Sequence, residues 1–133
     1  MTTLRRRALL IASLVVVAAG CDANTDAVAP GEISPRELSE RIGAGDPPFI
    51  LDVRTLEEFR AGHIRGAVNI PHDELAARID ELAGLRTDEV VVHCERGGRA
   101  RSAAAVLEAA GFSDLRDLDG HMSAWRDGGY PVE

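Results

Sequence analysis

The chain has 133 residues, of which 45% are hydrophobic, 4% aromatic and 28% charged, with a formal net charge of −7 and two cysteines. Such a length holds one domain and little else, and with so few aromatic residues the core must be aliphatic. All 15 basic residues are arginine, and the acidic excess argues against nucleic acid as a partner and against attraction to anionic lipid.

In chain order the first element is a leader. Leu4-Arg5-Arg6-Arg7 precedes the apolar run 8–19, the charged-then-apolar order of a secretory signal, and the run is shorter than the roughly 18 residues of a membrane span. It closes on Ala18-Ala19-Gly20-Cys21. That ending resembles the lipobox of bacterial lipoproteins, in which small residues precede a cysteine that is acylated and becomes the new N-terminus. Ala18 departs from the Leu or Val more usual there. The resemblance implies a lipoprotein-type signal peptide over 1–20 and lipidation at Cys21; the competing reading is an ordinary signal peptide cut nearby. Residues 21–31 are small, polar and aperiodic, and predict a flexible tether reaching roughly 30 Å when extended. The expected location is exported, lipid-anchored at the outer face of the bacterial cytoplasmic membrane, or periplasmic. Loss of the three leader arginines leaves 12 basic against 22 acidic residues, a net charge of −10, so membrane association would rest on the lipid anchor and not on charge.

From Ile33 onward short apolar runs alternate with helical segments, which predicts an α/β domain around a mostly parallel sheet. Ser34-Pro35-Arg36-Glu37 is a capping box with proline at the first helical position. Phe49-Ile50-Leu51-Asp52-Val53 is a strand, and Thr55-Leu56-Glu57-Glu58 is a second capping box. A short strand is expected over 66–70, stopped by Pro71. A helix is expected over about 73–83, with Leu75, Ile79 and Leu82 on its inner side. Val90-Val91-Val92 is β-branched throughout and predicts a strand covered on both faces. A helix over 99–110 stopped by Gly111, a strand over 115–118 and a short helix over 120–127 carrying Trp125 complete the series.

The strongest chemical signal is His93-Cys94-Glu95-Arg96-Gly97-Gly98-Arg99-Ala100-Arg101, which places one cysteine between a buried strand and a helix. Amides at the start of that helix favour negative charge, so a thiolate or a sulfur chain grown on it would be stabilised. Gly97 and Gly98 allow a loop to curl its amides around one atom. Arg96, Arg99 and Arg101 supply positive charge. A lone cysteine more often just ends a strand; here the glycines and arginines favour a reagent. With Cys21 acylated, Cys94 is the one thiol left, so neither an intramolecular disulfide nor a resolving cysteine is available. His63, His72, His93 and His121 lack metal-ligand spacing, and no metal is expected.

Three stretches together resemble the single-domain rhodanese sulfurtransferases, over about residues 33–132. Asp52-Val53-Arg54, Glu57-Glu58-Phe59 and Gly62-His63-Ile64-Arg65-Gly66-Ala67-Val68-Asn69-Ile70-Pro71 are similar to the family's D-V-R, E-F and G-H-I-x-G-A-x-N-I-P. Cys94 to Arg99 resembles its C-x-x-G-x-R loop. Leu118-Asp119-Gly120-His121-Met122-Ser123-Ala124-Trp125 with Gly129-Tyr130-Pro131-Val132 resembles its L-x-G-G-x-x-x-W and G-Y-P-V ending. The resemblance implies a rhodanese-like domain over 32–133, with a five-stranded parallel sheet flanked by helices on both faces, and no cofactor. It also implies that Cys94 takes a sulfane sulfur from a small anionic donor such as thiosulfate, as a persulfide, and yields it to a thiol, to cyanide or to an unknown protein acceptor. Glu95, Arg96, Gly97, Gly98 and Arg99 would form the substrate loop, with Asp52, Arg54 and His63 in support. Arg96 is the candidate for binding the anionic donor. Arg99 would hold the loop in shape, with Asp52 as its candidate partner, or else face solvent at the head of the helix. His63 is expected to be a hydrogen-bonding strut, and Trp125 a core anchor whose indole N–H finds a backbone acceptor. A His93–Cys94 pair is disfavoured because adjacent strand residues face opposite ways.

Two departures stand out. Glu95 places a carboxylate beside the nucleophile, where it should oppose a thiolate and a dianionic donor. His121 stands where many relatives have a second glycine, so a looser final turn is expected. Two rival functions follow. A cysteine phosphatase or arsenate reductase needs H-C-x5-R, but the spacing here is C-x4-R with Ala100 at the phosphatase position. The other rival is a membrane-tethered rhodanese-fold binding or sensing module with little turnover.

Overall fold

The computed structural model describes residues 31–133; the expected signal peptide, the expected lipidation site Cys21 and all but the last residue of the expected tether lie outside the described residues. Ten short elements follow one another: β1 (Glu32–Ile33), α1 (Pro35–Gly43), β2 (Phe49–Asp52), α2 (Leu56–Ala61), β3 (Val68–Asn69), a 3₁₀ helix (Ile79–Leu85), β4 (Val90–His93), α3 (Gly98–Ala109), β5 (Leu115–Leu118) and α4 (His121–Asp127). The strands form one sheet in the order β1-β5-β4-β2-β3, and every neighbouring pair is parallel.

The local signals explain most boundaries. Ser34 Oγ accepts from Glu37 N–H at the head of α1. Thr55 and Glu58 form a reciprocal capping box at α2, which fixes where each helix begins. β4 is buried along its whole length, as its β-branched run predicts. Alternation across the strands splits the core in two. Leu51, Val90 and Val92 face α3 and the 3₁₀ helix, packing with Ala103, Leu107 and Leu82. Ile50 and Val91 face α1 and α4, packing with Leu38, Met122 and Trp125. Helices therefore cover both faces of the sheet.

The expected helix over 73–83 is corrected: turns lead into a 3₁₀ helix at Ile79–Leu85. Leu75 and Leu82 are nevertheless buried, with Ile79 packed against the same cluster. The residue that would cap the segment, Arg78, makes no side-chain capping bond, so the helix start lacks the cap that α winding commonly uses. β1, two residues long, owes its strand state to pairing with β5.

Sheet order positions the site. The chain leaves β2 toward β3 on one side, and leaves β4 toward β5 on the other. The carboxyl ends of β2 and β4 thus flank a topological switch point, where loops diverge and leave a crevice. Arg54 follows β2, and Cys94 follows β4.

Candidate active site

Cys94 directly follows β4, and α3 starts four residues later. Its thiol is free. The Gly97 N–H donates to Sγ at 3.0 Å. Gly97 has φ of +126°, and a Cβ there would stand 2.9 Å from His121 Nε2, so glycine is required both for the turn and for the close approach. The loop presents the Gly97 amide to the sulfur. Cys94 is also 1% exposed and packs with the core cluster beneath α3. The sulfur sits under the loop.

Three arginine–carboxylate pairs surround the loop. Behind it, Arg54 Nε donates to both oxygens of Asp52 at 3.0 and 3.1 Å and Nη2 to Oδ2 at 2.7 Å. Asp52 Oδ1 also accepts from the Arg54 backbone N–H at 3.0 Å. Both residues are essentially unexposed. The second Arg54 Nη2 contact, to Gly62 O at 2.8 Å, ties the turn after α2 to the same guanidinium. Asn69 reinforces this corner by donating to the backbone oxygens of Asp52 and Arg54.

The second pair corrects an expectation. Arg99 does not bind Asp52, which Arg54 occupies; it makes a bidentate bridge to Glu58, at 2.6 and 2.9 Å. Hydrogen bonding from Arg99 is the largest influence on Glu58 and holds its carboxyl down to about 2. The same bond raises the Arg99 guanidinium above its ordinary range. Glu58 is therefore a site residue the sequence showed only as a helix-capping side chain; its accompanying signal was its place in the E-F stretch.

The third pair changes the meaning of Glu95. Its carboxylate bonds Arg126 of α4 and lies 3.7 Å from Arg54 Nη1. Two guanidiniums thus compensate the charge that was expected to repel an anionic donor. Arg126 carried no sequence signal of this role. A cavity of about 220 Å³ opens at this corner, lined by Arg54, Glu58, Gly62, Glu95, Met122 and Arg126. On the other flank of the loop, Arg96, Gly97, Arg101, Arg116, Asp117 and His121 line a larger cavity of about 440 Å³. Arg96 is exposed.

The histidines separate by role. His63 Nδ1 lies 3.0 Å from Phe59 O, and its ring stacks on Phe59 with centroids 3.8 Å apart; it braces the turn after α2, away from the sulfur. His93 is fully buried on the face opposite Cys94, its Nδ1 3.3 Å from Cys94 O and its Nε2 without a hydrogen-bond partner. Burial pushes its pKa down, and the neutral ring has no path to the thiol. The turn at His121 is not loosened. Gly120 and His121 both take left-handed backbone, φ 66° and 54°, and α4 begins without a gap. Trp125 is buried, and its Nε1–H donates to Pro131 O at 2.9 Å.

Comparison with known proteins bears on this arrangement. The family described as Rhodanese-like domain matches residues 34–127. The chain is 42% identical over 104 residues to an HTH-type transcriptional regulator of Mycobacterium tuberculosis, covering 76% of this chain and 44% of that protein; it thus spans less than half of that relative. It is 36% identical over 93 residues to thiosulfate sulfurtransferase 16, chloroplastic, of Arabidopsis thaliana, covering 62% of this chain and 78% of that one. With the thiosulfate sulfurtransferase GlpE of Pseudomonas putida it shares 37% identity over 98 residues, 73% of this chain and 82% of the other. Among solved structures, a rhodanese-related protein of Thermoplasma volcanium superposes with a TM-score of 0.66 at 32% identity, over 77% of this chain and 96% of that one.

Proposed function

The chain belongs to the rhodanese-like domain family, and from that premise we propose that it is a sulfurtransferase working through a persulfide on Cys94. The observation that carries the reading is the Gly97 N–H held 3.0 Å from Sγ at the head of α3, a donor placed where negative charge on sulfur would reside. In the forward step the Cys94 thiolate attacks the outer sulfur of thiosulfate. A new Sγ–S bond forms, the donor S–S bond breaks, and sulfite leaves with its electron pair. Cyanide or a thiolate then attacks the outer sulfur and takes it as thiocyanate or a new persulfide, returning the thiolate of Cys94. Arg96 attracts the donor, and Arg99, fixed by Glu58, holds the loop. Relatives named thiosulfate sulfurtransferase support this chemistry.

The test is intact-mass measurement after incubation with thiosulfate. The parent should gain one sulfur atom and release it to cyanide, and Cys94→Ser should gain none. A parent protein that takes up no sulfur from thiosulfate would overturn the assignment. The 1% exposure of Cys94 favours a second reading, a rhodanese-fold binding or sensing module with little turnover; it predicts no mass gain from any donor. Hydrolysis of a generic phosphomonoester faster than thiosulfate consumption would favour the phosphatase reading instead. We further propose that Cys21 is lipidated and anchors the domain at a membrane on the exported side; radiolabelled palmitate incorporated by the parent but not by Cys21→Ser is the expected result.

A further inference from the structure

His121 replaces the second glycine of the closing motif, and no step of the reaction proposed above employs it. Its backbone is left-handed, a conformation disfavoured for any residue with a Cβ, yet its side chain is 6% exposed and closely engaged. The Cys94 backbone N–H donates to Nδ1 at 3.3 Å. Nε2 lies 3.4 Å from Asp117 Oδ2 at the end of β5. The ring lies so close to Gly97 that a Cβ there would come within 2.9 Å of Nε2. The next two residues continue the grip, since Met122 N–H donates to Cys94 O and Ser123 N–H to Glu95 O, both at 3.1 Å.

These contacts select a tautomer. A nitrogen that accepts from a backbone N–H carries no proton, so the ring hydrogen sits on Nε2, directed at the Asp117 carboxylate. The ring therefore touches both ends of the loop: the residue that bears Sγ, and the glycine whose amide donates to Sγ. A space-filling group at this position would need no acceptor. Removal of Nδ1 would leave the buried Cys94 N–H without its protein partner.

We propose that His121 is a positioning residue for the nucleophile: unprotonated Nδ1 fixes the Cys94 peptide and the ring floors the turn at Gly97, keeping Sγ in register with the Gly97 amide. The proposal rests on the reading of Cys94 as the sulfur acceptor. Three variants separate its parts. His121→Asn puts an oxygen where Nδ1 stood and tolerates left-handed backbone. His121→Gln carries its amide out to where Nε2 stood, toward Asp117 and away from the Cys94 N–H. His121→Gly relieves the backbone and supplies no acceptor.

For each protein, sulfur uptake from thiosulfate and alkylation of Cys94 by iodoacetamide are followed by intact mass, with thermal unfolding as the check on folding. His121→Asn should stay within about threefold of the parent in both rates, whereas His121→Gln and His121→Gly should take up sulfur about tenfold more slowly. The same two should alkylate several-fold faster, because a loosened loop uncovers the buried thiol. Equal rates for the Asn and Gln variants, or parent-like rates for all three, would overturn the proposal. If the parent takes up no sulfur, the sulfurtransferase reading fails while the alkylation series still decides the role of His121. Should His121→Gln fail to fold, Asn against Gly gives the same contrast.

Discussion

Asp52→Asn tests the most demanding feature of this fold, a buried ion pair beside the Cys94 loop. Asp52 and Arg54 are 0% and 2% exposed, and the carboxylate accepts three side-chain contacts from the guanidinium and one from the Arg54 backbone. Neutralising Asp52 strands a desolvated guanidinium, whose remaining partners are Gly62 O at 2.8 Å and Glu95 at 3.7 Å. Breaking a buried pair in this way costs about 3–5 kcal/mol. For a domain of this size that is a fall in Tm of about 15 °C or more. Arg54→Met should cost a similar amount by stranding the carboxylate. The double variant Asp52→Asn/Arg54→Met removes the charge together with its partner, and should be more stable than the sum of the two losses predicts. Urea unfolding followed by the single tryptophan, Trp125, gives all four stabilities. Single losses below about 1 kcal/mol, or a strictly additive double variant, would refute the view that each charge is retained by the other.

Acid should find the Glu58–Arg99 bridge next. The Glu58 carboxyl is held down to about 2 from an ordinary value of 4.5, so the stability it contributes is complete above 4.5 and is lost as pH falls through about 2. With the side chain 34% exposed, solvent screening limits this to roughly 1 kcal/mol; urea midpoints at pH 6 and pH 3 should differ less in Glu58→Gln than in the parent. Gly97→Ala places a Cβ 2.9 Å from His121 Nε2 on a backbone of φ +126°, and should destabilise by about 1–3 kcal/mol while abolishing most sulfur uptake, as urea unfolding and intact mass would show. Arg96→Ala should raise KM for thiosulfate, and flatten its dependence on salt, more than it lowers kcat, because an exposed charge acts mainly by screened attraction; a pure kcat effect would contradict the role given to Arg96.

The sheet and its helices were legible because their signals are local. A β-branched run, an N-capping serine, a capping box and a glycine stop each act within a few residues, and each lies close to its expected place; the other expected capping box, at Ser34–Glu37, forms only its serine half. The segment around Ile79 was not, because burial of Leu75, Ile79 and Leu82 is compatible with 3₁₀ and α winding alike. The chemistry around Cys94 divides in the same way. The loop itself could be seen in a run of nine residues. Its partners could not: Glu58 and Arg99 are separated by 41 positions, and they meet because β2 and β4 are neighbours and their following helices start side by side. Charge type alone made Asp52 as reasonable a partner for Arg99 as Glu58 is.

The same neighbour relation explains why a carboxylate beside Cys94 is tolerated. Glu95, Glu58 and Asp52 would together place three negative charges about the Cys94 loop, which would disfavour both a thiolate and an anionic donor. Each is met by an arginine from a different part of the chain: Arg126 from α4, Arg99 from α3 and Arg54 from the end of β2. Those three guanidiniums are consumed in compensation, so they add little net attraction for an anion. Among the described residues, the arginines of the loop and the first turn of α3 that make no ion pair are Arg96 and Arg101, both exposed and both lining the 440 Å³ cavity. In the proposed reaction, the positive charge free to attract an anionic donor therefore lies on that side of the loop. The paired arginines on the other side shape the loop and neutralise its acids, which is why substitution of Arg99 should disturb structure where substitution of Arg96 disturbs encounter.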